Sequence, residues 1–246
     1  MIRRMRLSAD RKQELTEFAH QLADVSAEAI LPYFRTSQAV NNKAAGGFDP
    51  VTVADREGER VMRALIGERY PEHGILGEEH GTSAGDSEFT WVLDPIDGTR
   101  AFITGLPLWG TLIALNDGIS PVLGVMNQPF TGERFMGNGE RAWLGDTPLA
   151  TRECADLGDA ILMCTTPEMF DSPESRHAFA AVAGQVRMLR YGGDCYAYCM
   201  LAMGMVDLIV ERDLKPYDIQ ALIPIIEGAG GRVTNWQGES AQAGGR

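Results

Sequence analysis

The sequence is poor in cysteine and in positive charge. Its 4 cysteines include no CxxC pair, and we interpret Cys195 and Cys199, which lie four apart in an apolar run, as buried, reduced thiols. Lysine and arginine together number 22, against 34 aspartate and glutamate residues, which gives a formal net charge of -12. This balance argues against a nucleic-acid binder, which needs a basic face, and against an anionic membrane surface as a partner.

Long apolar runs are also missing from the sequence. The basic start MIRRMRLSAD is not followed by the apolar stretch of a secretory signal, and no segment has the length of a membrane span. A cytoplasmic location is therefore the default expectation. The composition, 44% hydrophobic and 23% charged, is that of a globular protein with one large domain or two small ones.

Hydrophobic periodicity predicts helices and strands along the whole chain. Amphipathic helices are predicted over residues 8–34 and 53–69, with a polar, Gly-rich loop over residues 41–48 between them. Further helices are predicted over residues 172–183, 195–203 and 216–227. Strands are predicted over residues 75–76, 91–93, 108–115, 122–128, 133–136, 160–164, 186–190 and 206–210. We therefore expect a layered α/β protein with an N-terminal lobe, residues 1–150, and a C-terminal lobe, residues 151–246.

The stretch WVLDPIDGTR, residues 91–100, ends an apolar run with two aspartates. Asp94 and Asp97 lie where a buried strand is predicted to stop. Two carboxylates this close repel each other unless a cation lies between them, and oxygen ligands suit Mg²⁺ or Mn²⁺. If a helix begins at Gly98 and Thr99, its free N–H groups form an anion site beside the metal. The alternative is a plain strand–turn–helix junction in which Asp97 caps the helix.

Three further segments place carboxylates at the ends of predicted elements. Glu78 and Glu79 follow a short strand in GILGEEHG, Asp55 begins a helix in FDPVTVAD, and Asp218 begins one in KPYDIQAL. Metal ligands next to a phosphate-binding turn are typical of metal-assisted phosphoryl transfer. For Glu79 a role as a solvated carboxylate or as a neighbour of the metal ligands is the better interpretation.

In chain order, DPVTVAD, GEE, WVLDPIDGT and a late YD followed by EGAGG resemble the motifs of the inositol monophosphatase superfamily. The resemblance covers nearly the whole chain. It implies a five-layer αβαβα sugar-phosphatase-like fold and an Mg²⁺-dependent, lithium-sensitive phosphatase that acts on a small phosphorylated metabolite. It also implies two or three bound Mg²⁺ ions, with Mn²⁺ as a possible substitute. We further expect a homodimer.

The resemblance also implies a role for each matching residue. The metal ligands would be Glu78, Asp94, the backbone carbonyl of Ile96, Asp97 and Asp218. Asp55 would help to position the Glu78 side and a third metal, and Thr99, paired with Glu78, would activate the attacking water. The N–H groups of Gly98 and Thr99 would hold the phosphate. Lys43 matches a lysine of the family's metal-binding loop, although its spacing to Asp55 is one residue longer than expected.

Three segments resemble the histidinol-phosphate phosphatase branch of this superfamily: RAFITGLPLWGTLIAL, YGGDCYAYCMLAMGMVDLIVE and ERDLKPYD. Histidinol carries an ammonium group and an imidazole, so carboxylates should line its pocket. Asp194 and Glu211 are the candidates for this role. Arg100 is a candidate for a phosphate contact or for an ion pair with a neighbouring acid. Asp194 is explained equally well as the N-cap of the helix over residues 195–203.

We therefore expect hydrolysis of L-histidinol phosphate to L-histidinol and phosphate by in-line attack of water. The expected mechanism has no covalent intermediate and needs no cysteine or histidine nucleophile. An inositol 1-phosphate or broader sugar phosphate phosphatase is the alternative enzyme. A non-catalytic binding protein on the same fold is the alternative of another class, and the complete set of metal-binding carboxylates disfavours it.

Overall fold

The computed structural model describes residues 8–36, 40–42 and 50–245. Its helices are α1 Ala9–Ile30, α2 Val53–Arg69, α3 Thr99–Ile103, α4 Pro173–Ala183, α5 Asp194–Ala202, α6 Pro216–Ile219 and α7 Leu222–Gly228. Its strands are β1 Val40–Asn42, β2 Pro50–Thr52, β3 Gly74–Gly77, β4 Gly81–Ser83, β5 Thr90–Asp97, β6 Gly110–Asn116, β7 Pro121–Gln128, β8 Glu133–Gly137, β9 Ala142–Leu144, β10 Thr147–Pro148, β11 Ile161–Cys164, β12 Met188–Tyr191 and β13 Leu208–Ile209. Lys43 and most of the predicted loop over residues 41–48 lie outside the described residues.

The strands form one large sheet, one small sheet and a separate pair. The large sheet has eight strands in the order β10-β9-β8-β7-β6-β5-β3-β4, and only β3 and β5 pair in parallel within it. The small sheet is parallel, in the order β12-β11-β13. Strands β1 and β2 pair with each other just before α2.

Alternating side chains of β5 show how the large sheet separates two hydrophobic cores. Trp91 and Leu93 pack with α1 and α2 on one face, whereas Val92 packs with α5 and α7 on the other. This is the period of two that a strand buried on both faces requires. Helix α5 also contacts β11 and β13, and α4 packs on the small sheet through Phe179. The layers are therefore helix, sheet, helix, sheet and helix, as the family resemblance implies.

Two helices end or break where proline removes a backbone donor. Helix α1 stops at Ile30, earlier than predicted, and Leu31–Tyr33 continue as a 3-10 turn that contains Pro32. The helix predicted over residues 216–227 is divided into α6 and α7. Pro224 has no N–H to donate to the carbonyl oxygen of Gln220, so the α-helical hydrogen bonding is interrupted. The break follows α6, the short helix that carries Asp218.

Helix α2 begins at the residue that the sequence predicts, because Thr52 and Asp55 form a capping box at its first turn. The Thr52 hydroxyl accepts from the N–H of Ala54, and the Asp55 carboxylate accepts from the N–H of Thr52 at 2.8 Å. No helix among the described residues combines the length and apolar character needed to cross a membrane. The division into two lobes near residue 150 remains a prediction.

Candidate active site

A β-bulge in β5 brings the two aspartates of the DPID stretch to the same side of the sheet. Asp94 lies opposite Leu112 and Asp97 opposite Gly110, so three residue steps on β5 face two on β6. In a regular strand, residues three apart point to opposite faces. The bulge adds one residue and removes this difference. The prediction that this strand stops after Leu93 is therefore wrong, because β5 continues through both carboxylates.

Three aspartates from two distant parts of the chain meet at this bulge. One carboxylate oxygen from each of Asp94, Asp97 and Asp218 lies within 4.8 Å of the others. Glu78, at the end of β3, forms a hydrogen bond with Asp94 and also faces the same cavity. The structure thus brings together the four predicted carboxylate ligands.

The acidic cluster opens into a cavity of about 160 Å³. Its lining residues are Glu78, Asp94, Ile96, Asp97, Gly98, Thr99, Thr165, Met169, Asp194, Cys195, Tyr198, Glu211, Leu214 and Asp218. Asp55 and Arg100 are the two predicted site residues that do not line it. Asp55 is fully buried behind the cavity, and Arg100 is exposed on α3.

Burial and nearby negative charges raise the pKa of Asp94 and Asp97. The pKa of Asp94 lies well above its ordinary value because the group is buried and because Glu78, Asp97 and Asp218 are close. Burial and the charges of Asp194 and Asp218 likewise raise the pKa of Asp97. The N–H of Cys195 donates to Asp97 Oδ2 at 2.6 Å, which partly opposes that rise. Close carboxylates of this kind fit a divalent cation, because its charge removes the repulsion.

The Thr99 hydroxyl lies between Asp55 and the bulge. Thr99 Oγ1 is 3.1 Å from the carbonyl oxygen of Ile96 and 3.5 Å from Asp55 Oδ1. Asp55 Oδ2 is 2.8 Å from the N–H of Thr52 and 2.5 Å from its hydroxyl. Asp55 therefore joins the start of α2 to Thr99, whereas the pairing of Thr99 with Glu78 remains a prediction.

Gly98 makes the sharp exit from β5 into α3 possible. Its φ of 86° lies in the left-handed region, and a Cβ there would lie 2.8 Å from the carbonyl oxygen of Leu108 and 3.2 Å from Asp194 Cβ. Glycine therefore lets α5 approach the aspartate cluster closely. The N–H groups of Gly98 and Thr99 are at the predicted place, and their contact with phosphate remains a prediction.

Helix α5 begins differently from the sequence expectation. Its N-cap is Gly193, with no side-chain capping bond, and Asp194 is the first helical residue at a φ of 43°. The interpretation of Asp194 as the N-cap is wrong. A glycine with φ of 113° makes the turn instead, and Asp97 accepts the N–H of Cys195 from another strand. The Asp194 side chain lines the cavity.

Glu211 is fixed by hydrogen bonds to both of its carboxylate oxygens. Oε1 accepts from the N–H of Thr165 at 2.9 Å, and Oε2 accepts from the Tyr198 hydroxyl at 2.8 Å. Burial raises the pKa of Glu211 despite these bonds. Burial first and Glu211 second raise the pKa of Asp194 to about 6, while Arg100 lowers it.

In the metal-free protein we expect Asp194→Asn to raise the thermal midpoint at about pH 8 and to leave it nearly unchanged at about pH 3.5. The folded-state pKa of Asp194 is raised, so its stabilising contribution is complete below its ordinary pKa of 3.8 and is lost as pH rises through about 6. Asparagine does not ionise and avoids that loss. Scanning calorimetry in EDTA checks this. Burial lowers the pKa values of His20 and His73, so these histidines also make stability depend on pH. Their contribution is the same in both proteins and cancels when the two thermal midpoints are subtracted.

Comparison with known proteins decides the family. Residues 11–245 match the inositol monophosphatase family. The chain belongs to this family, whose members are metal-dependent phosphatases. It is 46% identical over 232 residues to the bifunctional phosphatase IMPL2 of Arabidopsis thaliana, covering 92% of the chain and 66% of that relative.

Two further proteins match across most of both chains. A histidinol-phosphatase from Chlorobaculum parvum is 34% identical over 227 residues, which cover 92% of the chain and 87% of that protein. An inositol monophosphatase structure from Zymomonas mobilis is 44% identical and superposes with a TM-score of 0.83, covering 95% of the chain and 89% of that structure.

Three residues that support the site were missed in the sequence. Thr165 and Tyr198 orient Glu211, and no local motif marks them. Glu59 is fully buried on α2 and accepts from the N–H of Glu79. A signal for it existed, because Glu59 falls on the apolar stripe that also carries Met62 and Ile66, where a charge indicates a buried pair.

Proposed function

We propose that the chain hydrolyses the phosphate monoester of a cationic alcohol, with L-histidinol phosphate as the first candidate. The observation that carries this proposal is the position of Asp194 and Glu211 in the same cavity as the metal-binding aspartates. The aspartate cluster supplies a place for the phosphate end of the substrate. The second pair of carboxylates supplies a place for a positively charged end.

The electrostatics of the second pair favour an ammonium or imidazolium group. Asp194 and Glu211 are close enough for the charge of Glu211 to raise the pKa of Asp194. Among the described residues that line the cavity there is no lysine, arginine or histidine. A cationic substrate would supply the missing positive charge through charge-assisted hydrogen bonds, which a neutral polyol cannot do.

Arg100 is better explained by an electrostatic role than by a phosphate contact. It is exposed and does not line the cavity, yet its charge lowers the pKa of Asp194. We therefore propose that Arg100 helps to keep Asp194 ionised near neutral pH. An ionised Asp194 is the form that binds a cation.

Each group of cavity residues is proposed to have its own role in the reaction. Glu78, Asp94, Asp97, Asp218 and the Ile96 carbonyl are proposed to hold two or three divalent ions. These ions, when bound, neutralise the phosphate charge and lower the pKa of the attacking water. The Thr99 hydroxyl is proposed to orient that water, and Asp55 to orient Thr99. The N–H groups of Gly98 and Thr99 hold phosphate oxygens during in-line displacement.

The relatives support both histidinol phosphate and inositol phosphate as candidate substrates of this site. The Chlorobaculum parvum relative is a histidinol-phosphatase, and the Arabidopsis relative is named a bifunctional phosphatase. The Zymomonas mobilis structure, which is an inositol monophosphatase, favours inositol 1-phosphate as the second candidate. The second carboxylate pair is the reason for placing histidinol phosphate first.

Replacing Asp194 by asparagine is expected to lower kcat/KM for histidinol phosphate by about one to two decades. A hydrogen bond to a charged group contributes about 1.5–3 kcal/mol, and about 1.4 kcal/mol corresponds to one decade. Asparagine keeps the size of the side chain and tolerates the φ of 43°. Steady-state kinetics with histidinol phosphate and with glycerol phosphate, whose alcohol is uncharged, give the comparison.

Asp213→Asn is the matched control for this experiment. Asp213 also has a positive φ, 63°, but does not line the cavity, so the control should retain wild-type kcat/KM on both esters. Hydrolysis of glycerol phosphate by Asp194→Asn should barely change. Equal losses of kcat/KM on both esters, or no loss on histidinol phosphate, would contradict the role of Asp194. Inositol 1-phosphate would then become the first candidate substrate.

Three further expectations belong to this proposal. Mg²⁺ is proposed as the natural ion and Mn²⁺ as a substitute, because the ligands are all oxygens. A homodimer is proposed as the assembly, which sedimentation analysis checks. No nucleic-acid partner is proposed, because the net charge of -12 disfavours one.

A further inference from the structure

Helix α2 carries three charged residues in one row on its inner side. Asp55, Glu59 and Arg63 follow one another at a spacing of four, which places them on the same helix face. Asp55 reaches Thr99, as described above. Glu59 and Arg63 point to the next segment of the site, the connection between β3 and β4 that carries Glu78.

Glu59 is fully buried, and both of its carboxylate oxygens are engaged. Oε2 accepts from the N–H of Glu79 at 2.6 Å, and Oε1 accepts from the N–H of His80 at 3.1 Å. Arg63 Nε donates to Oε1 at 2.6 Å and so supplies the compensating charge. Two consecutive backbone N–H groups directly after Glu78 thus depend on one side chain.

The connection is also fixed on its other sides. A Cβ on Gly77 would overlap the Glu59 carboxylate, so the close approach requires glycine at the residue before Glu78. The N–H of Glu78 donates to the carbonyl oxygen of Leu93 at 3.1 Å. Arg63 extends past Glu59 to the backbone of Gly81 and to Ser83 Oγ on β4.

We propose that Glu59, compensated by Arg63, is a positioning residue that holds the Glu78 carboxylate in its place among the metal-binding aspartates. This inference depends on the proposed metal-binding role of Glu78. A buried ion pair is seldom the most stabilising choice for a helix face, because apolar residues of similar size often stabilise as well. Here the pair instead fixes the backbone of a metal ligand, and loss of such support typically weakens metal affinity or activity by about 10- to 100-fold.

The test is Glu59→Gln, which keeps the size of the side chain but places an amide NH₂ where one acceptor stood. The expected result is an increase of about tenfold in the Mg²⁺ concentration at half-saturation. Two readouts measure it: the rise of the thermal midpoint on Mg²⁺ titration without substrate, and the Mg²⁺ dependence of kcat. KM for substrate at saturating Mg²⁺ should stay near the wild-type value, because the cavity residues are unchanged.

Glu57→Gln is the matched control on the same helix. Glu57 also forms an ion pair with an arginine, Arg60, at 2.6 Å, but both side chains are substantially exposed. This variant should bind Mg²⁺ as the wild type does. A second variant, Arg63→Lys, keeps the charge beside Glu59 and removes the fork that reaches Gly81 and Ser83, so a smaller weakening is expected.

The outcomes are distinguishable. A folded Glu59→Gln protein with wild-type Mg²⁺ half-saturation would overturn the positioning role and leave the proposed function intact. If Glu59→Gln does not fold, wild-type Mg²⁺ half-saturation in Arg63→Lys would overturn it equally. A wild-type protein whose midpoint and activity are both indifferent to Mg²⁺ would contradict the proposed function itself, and the role of Glu59 with it.

Discussion

Asp97→Asn is expected to lower kcat/KM by about 1,000-fold on every phosphate ester, even at saturating Mg²⁺. Removing one charged ligand forfeits several kcal/mol of charge stabilisation in the transition state, and each 1.36 kcal/mol corresponds to about one decade. In the wild-type structure the N–H of Cys195 donates to Asp97 Oδ2 at 2.6 Å. The fold should survive the substitution, because asparagine retains an oxygen that can accept this hydrogen bond. Steady-state kinetics over an Mg²⁺ titration check the result.

The same substitution separates loss of a metal ligand from damage to the fold. Burial and the charges of Asp194 and Asp218 raise the pKa of Asp97, so its removal should stabilise the metal-free protein near neutral pH. Asp117→Asn is the control. Asp117 also accepts backbone N–H groups, from Ile119 and Ser120, in a turn outside the cavity. Near-normal activity of Asp97→Asn at saturating Mg²⁺ would contradict the ligand assignment.

Thr99→Ala is expected to lower kcat by about 100-fold or more while changing KM little. A positioned group that assists proton transfer contributes about 10²–10⁴-fold, and a loss confined to kcat reports an interaction made in the transition state. Thr99 suits this role because its hydroxyl is held between the Ile96 carbonyl and Asp55. Thr99→Ser keeps the hydroxyl and is the matched control.

A different pattern of kinetic constants would assign Thr99 another role. An increase in KM with unchanged kcat would make Thr99 a phosphate-binding residue rather than the residue that orients water. Equal losses in Thr99→Ala and Thr99→Ser would attribute the effect to packing at the start of α3. Either pattern would also remove the proposed function of Asp55 in orienting Thr99.

The carboxylate cluster was predictable because its members lie in short, ordered motifs. DPVTVAD, GEE, DPIDGT and the late YD each place a carboxylate at or near the end of an element, and the fold brings Glu78, Asp94, Asp97 and Asp218 together. The bulge that aligns Asp94 with Asp97 was not predictable from periodicity. Bulges depend on the pairing with a neighbouring strand, here β6, which local sequence does not specify.

The second carboxylate pair shows a different limit of sequence reasoning. Asp194 precedes the helix predicted over residues 195–203, so local rules favour an N-cap. In the structure Gly193 takes that position, and Asp97 accepts the N–H of Cys195. The contact is formed by residues far apart in sequence, so helix-capping rules could not include it. The supporting bonds of Glu59 and Glu211 are tertiary for the same reason.

The most direct measurement is kcat/KM of the wild-type protein for histidinol phosphate, inositol 1-phosphate and glycerol phosphate, with Mg²⁺ and with EDTA. The acidic pair formed by Asp194 and Glu211 predicts that histidinol phosphate is preferred over both uncharged alcohols by about tenfold or more. The aspartate cluster predicts that EDTA abolishes all three activities. Equal or greater kcat/KM for inositol 1-phosphate, or hydrolysis that persists in EDTA, would contradict a metal-dependent phosphatase built for a cationic substrate.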